Sequence, residues 1–105
     1  MPWNFYLLEF FSGLFLANGV PHFVQGICGH RFQTPFATPP GVGESSPVVN
    51  VLWGFANLLT GILLLKFYLP NGPTAIFGWV VFGGGVLLLS VMTAYRFGIV
   101  RSRTR

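Results

Sequence analysis

The chain has 105 residues, the length of one domain, but only 8% of them are charged and 52% are hydrophobic, with a mean hydropathy of +0.66. Six Lys/Arg and two Glu cannot furnish a water-facing surface over that length, which excludes an ordinary soluble globule, a disordered chain and a nucleic-acid module. The net charge of +4 is an end effect, since Arg96, Arg101, Arg103 and Arg105 fall in the last ten positions.

Three stretches are apolar over the roughly 18 or more residues that a ~30 Å hydrocarbon core requires. The first covers about residues 3–27 and carries Glu9 and Asn18. It also contains Pro21, which removes a backbone hydrogen bond, so a helix kinked there is expected. Its opening residues, Met1-Pro2-Trp3-Asn4-Phe5, lack the basic stretch of a secretory signal, and none is expected. A loop over about residues 30–46 follows, rich in proline and glycine (TPFATPPGVGESSP) and expected to be irregular and extended. The second span is predicted over about 47–69, with Ser46 as N-cap and Pro47 in the first helical position. Pro70-Asn71-Gly72-Pro73 then reads as a tight turn, so spans two and three are predicted to form an antiparallel hairpin. The third span covers about 74–97 and is uncharged from Ala75 to Tyr95. A basic tail, 98–105, completes a single membrane domain of fold class all-α.

The basic residues set the expected orientation. Arg31 in the long loop and the four C-terminal arginines share one side of an odd-spanning chain, against Lys66 near the other. The positive-inside rule then places the loop and C-terminus in the cytoplasm and the N-terminus outside the cell membrane. The aromatic residues agree, with Trp3, Tyr6, Tyr68 and Trp79 near the outer boundary and Trp53 and Tyr95 near the inner one. Arg96, Arg101, Arg103 and Arg105 are accordingly expected to meet anionic lipid headgroups.

Several intramembrane residues are candidates for function. Glu9 lies about 9 Å into the first helix at ~1.5 Å per residue, and a carboxylate at that depth is costly. It is read as pairing with Lys66, as one of two snorkelling side chains that never meet, or as a titratable group coupling proton or cation binding to transport. In span two, Asn50, Gly54, Asn57 and Gly61 recur at spacings of 4, 3 and 4 residues, which puts them on one helix face. That face is read as a packing seam, or with Asn57 as part of a solute pocket. Asn18, His22 and Gln25 share a face of span one beside Pro21, an arrangement that transporters use to build sites and that also occurs without any transport role. Gly83-Gly84-Gly85 interrupts span three, and with Gly54 and Gly61 it is expected to admit a closely packed neighbour. His22, Cys28 and His30 match no standard zinc or copper spacing, so no metal is expected.

No paired carboxylates, nucleophile motif or phosphate-binding loop is present in the sequence, and an enzyme is not expected. Three short helices bury little surface against one another. The expected role is therefore a non-enzymatic membrane protein acting through helix packing, as a homo-oligomer or an accessory subunit. Two alternatives are a homo-oligomeric transporter or channel with a polar mid-membrane site, and a haem- or quinone-associated subunit of an electron-transfer complex. The second of these rests on the histidines and an aromatic content of 17%.

Overall fold

The computed structural model describes residues 3–103. Three helices carry the chain: α1 Trp3–Ile27, α2 Pro47–Phe67 and α3 Ala75–Arg103. All three are long and apolar enough to cross a membrane, and the molecule measures 50 Å along its longest axis, against ~40–45 Å for a bilayer with its headgroups.

Local chemistry sets the helix limits. α1 runs without a break through Pro21 and beyond it to Ile27. It stops where Gly29 takes φ 78°, while the Gly29 N–H donates to the Gly26 carbonyl at 3.0 Å and the His30 N–H to the Gln25 carbonyl at 2.9 Å. This is a Schellman ending, which needs a residue free to adopt the left-handed conformation. α2 starts on Ser46, whose hydroxyl accepts from the Val49 N–H at 3.2 Å, with Pro47 in the first turn. α3 continues to Arg103, so the expected basic tail is helical over 98–103.

Contacts fix the directions of the helices. Ser12 meets Gly61, Asn18 meets Asn57 and His22 meets Asn50, so α2 runs antiparallel to α1. Glu9 lies against Gly78, and Gly13 against Phe82 and Val86, so α3 runs parallel to α1. α1 packs on both of the others, whereas α2 and α3 scarcely touch. The side-by-side packing implied by a tight turn is therefore not the one formed. α2 ends at Phe67, and the connection spans residues 68–74, longer than the four-residue turn read from the sequence.

The long loop also departs from expectation. It folds back as a small antiparallel pair, β1 Phe32–Gln33 with β2 Glu44–Ser45, which buries Phe32, Gln33 and Thr34.

The interior is inverted relative to a soluble protein. Among the described residues the buried hydrophobic side chains are Phe32 and Val100, while Glu9, Ser12, His22, Gln33, Thr34, Asn50 and Asn57 are buried polar ones. Leu52, Phe55, Leu59 and Ile62 of α2 and Ile76, Val80, Leu87 and Val91 of α3 face outward. Glycine lets the helix backbones approach. A methyl group on Gly19 would lie 2.7 Å from Leu58, one on Gly26 2.7 Å from the Pro47 carbonyl, and one on Gly54 2.5 Å from the Phe23 nitrogen. Small residues of this kind are how helices pack closely in a solvent that offers no hydrophobic drive for association.

A paired substitution tests this packing. Gly54→Ala forces a methyl into the Phe23 backbone and should cost about 1–3 kcal/mol. At Gly98 an added methyl meets nothing within 4 Å, so Gly98→Ala should be neutral or stabilising by up to ~1 kcal/mol through helix propensity. Denaturant unfolding of both variants in detergent, followed by circular dichroism, measures the difference.

Candidate functional site

The polar side chains of α1 and α2 meet as a ladder along the helix seam. At the first rung the Ser12 hydroxyl donates to the Gly61 carbonyl at 2.7 Å. At the middle rung the Asn18 amide donates to Asn57 Oδ1 at 3.0 Å, and the Asn57 amide donates onward to the Trp53 carbonyl at 2.8 Å. At the third rung His22 Nδ1 lies 3.0 Å from Asn50 Oδ1. The Asn50 amide nitrogen faces three carbonyls, those of Phe32 and Ser45 at 3.2 Å and of Ser46 at 3.1 Å. Carbonyls only accept, so the NH2 group of Asn50 must point to them and its oxygen to His22. His22 therefore carries a proton on Nδ1, and in the neutral ring Nε2 keeps its lone pair.

Asn50 thus ties the loop to both helices, a role that its place in the Asn/Gly stripe does not announce. Ser12, Gly19 and Gly26 likewise belong to the seam, and Gly13 to the α1–α3 contact, although their spacing was not singled out in the sequence. Their signal is present: Gly19 and Gly26 are seven residues apart, as are Gly54 and Gly61, two helical turns that return to one face.

Glu9 stands apart from the ladder. It is fully buried, and neither carboxylate oxygen has a hydrogen-bond partner among the described residues. Gly78 and Pro70 close over it: an added methyl on Gly78 would lie 2.9 Å from Glu9 Oε1 and 2.8 Å from Pro70. Lys66 is exposed, and the two do not pair.

The remaining candidates divide. Gln25 does not join Asn18 and His22; its Oε1 lies 2.9 Å from His30 Nδ1 at the exposed end of α1. Cys28 is exposed. Gly54, Gly61 and Gly85 face α1, at Phe23, Leu16 and Phe10 respectively, but nothing lies within 4 Å of where Gly83 or Gly84 would carry a methyl. The close neighbour expected at those two glycines is therefore not among the described residues. Arg101 turns inward, with its guanidinium 4.8 Å above the Phe32 ring and Nη2 donating to Gln33 Oε1 at 3.4 Å. Arg96 and Arg103 are exposed, and Arg105 lies outside the described residues.

Between the loop and the three helices a recess of about 370 Å3 opens, lined by Asn18, His22, Gln33 and Trp53 among others. Two ring contacts hold its walls: Phe36 meets Trp53 edge to face at 4.9 Å, and Phe32 meets Phe97 at 5.0 Å. Comparison with protein-family models, curated proteins and solved structures finds no match to this chain.

Asn50→Ala should strip Phe32, Ser45 and His22 of a partner at once. A loss of about 3 kcal/mol is expected, with faster proteolysis of residues 34–43 as the loop comes free. Thr60→Ala removes a hydroxyl that is exposed and bonded only to the Ala56 carbonyl of its own helix, so it should shift stability by less than ~0.5 kcal/mol. Equal behaviour of the two variants in unfolding and protease assays would remove Asn50 from its central place.

Proposed function

We propose that the protein is a small, non-enzymatic integral protein of the cell membrane that acts through helix packing, as a homo-oligomer or as an accessory subunit of a larger membrane complex. Its N-terminus lies outside, its C-terminus in the cytoplasm, and α1 bends at Pro21 as it crosses. Arg96 and Arg103 meet anionic headgroups, and nucleic acid is not a partner. The observation that carries this reading is the contrast between the seam and α3. Each polar rung holds a direct hydrogen bond between α1 and α2, so the two helices lock to each other without a solute between them. Gly83 and Gly84, by contrast, are exposed on α3, and an added methyl at either meets nothing within 4 Å, a bare strip with room for another helix to approach.

Native mass spectrometry after gentle extraction from the membrane is the test. A stoichiometric assembly is expected, either of several copies or with a larger partner. Gly83→Leu and Gly84→Leu should reduce it at least about tenfold while leaving the unfolding of the single chain unchanged. A chain recovered only as a monomer would refute the reading.

The unpartnered carboxylate of Glu9 favours a second reading, a homo-oligomeric proton- or cation-coupled transporter. An uncompensated charge in such a site costs several kcal/mol, so the carboxyl must be balanced by a proton or by a small cation from outside the chain. On this reading Glu9→Gln abolishes ion flux in proteoliposomes while the protein still assembles. Unchanged flux in the variant, or none in the wild type, rejects it.

A further inference from the structure

The recess beneath the loop is lined by three polar side chains, each with one half of its hydrogen-bonding capacity already committed. His22 donates from Nδ1 to Asn50, which leaves Nε2 as an acceptor. Asn18 donates one amide hydrogen to Asn57 Oδ1, which leaves its own Oδ1 as an acceptor. Gln33 accepts from Arg101 on Oε1, which leaves its amide N–H groups as donors. His22 and Gln33 are only 3% and 2% exposed, and both line the recess. Trp53 and Phe97 supply flat apolar walls, each braced by a second aromatic ring. A volume of about 370 Å3 falls at the small end of ligand sites, which run from ~300 to ~1,000 Å3.

We infer that this recess binds the hydroxyl end of a small membrane-soluble phenol or hydroquinone. The pattern asks for one group that donates to His22 Nε2 and accepts from the Gln33 amide, mounted on a ring that fits between aromatic faces. A phenolic hydroxyl does both. An aliphatic alcohol lacks the flat ring, and a carboxylate would bring a charge into a recess whose lining holds no Lys or Arg, the Arg101 guanidinium being committed to Phe32 and Gln33. His22 thereby gains a role as a hydrogen-bond acceptor that selects the ligand. The site is separate from the Gly83–Gly84 strip and does not depend on the packing role.

The test uses the full chain in phosphatidylcholine nanodiscs with isotope-labelled histidine, titrated with p-ethylphenol and, separately, with p-ethylanisole, which has similar shape but no donor. The expected result is a saturable NMR shift of the His22 Nε2 resonance with the phenol and at least about tenfold weaker binding of the ether, the worth of one lost hydrogen bond. His22→Asn keeps a donor toward Asn50 and removes Nε2. It should weaken phenol binding by a similar factor, with Trp53 fluorescence as the readout. Equal affinity for phenol and ether, a shift that rises linearly without saturating, or unchanged phenol binding in the folded variant would overturn the assignment. If the variant does not fold, the phenol–ether comparison in the wild type decides alone.

Discussion

In hydrocarbon a polar group has no water to fall back on, and three helices long and apolar enough to span a membrane carry an interior that answers that constraint. Asn50 shows how strictly it is met. One amide serves three loop carbonyls, and its oxygen accepts from the His22 Nδ1–H, so a side chain in the first turn of α2 fixes a loop, a helix and a tautomer together. Asn18 with Asn57, and Ser12 with Gly61, extend the same principle along the seam. These bonds are worth about a kilocalorie each in a membrane. Their greater effect is to set register, because sliding α1 past α2 would strand every rung.

Glycine makes this register possible. Gly19, Gly26, Gly54 and Gly61 bring the α1 and α2 backbones close enough for short side chains to reach across, and Gly13, Gly78 and Gly85 do the same for α3. α1 becomes the element on which both others pack. This scheme leaves three features over: the Glu9 carboxylate, the bare Gly83–Gly84 strip and the half-committed polar groups of the loop recess.

Much of the frame was legible in the residues. Composition and apolar run lengths indicate three membrane-length helices, and Ser46-Pro47 marks the start of α2 because a cap followed by proline has few other uses. The Asn/Gly stripe of α2 was visible from its spacing. The tertiary choices were not. A short connection between α2 and α3 suggests direct packing, but glycine faces on both were matched to α1, and only coordinates reveal which partner a glycine face prefers. The folded loop was hidden because its Pro and Gly content resembles that of irregular chain. What orders it is Asn50, distant in sequence from Phe32. Glu9 and Lys66 shared a depth along the helices but not a side, and depth alone cannot settle a pairing.

Lipid on the outside and polar groups on the inside is the claim on which everything else rests, and spin-label accessibility measures it most directly. Nitroxides at positions 52, 55, 76, 80, 87 and 91, with position 44 in the loop as the aqueous reference, would be exposed to molecular oxygen and to a water-soluble nickel chelate in a reconstituted bilayer. At the six helix positions oxygen should collide frequently and nickel rarely, with the reverse at position 44. Frequent nickel collisions along those helix faces would mean that water bathes them, and the inverted core would be wrong.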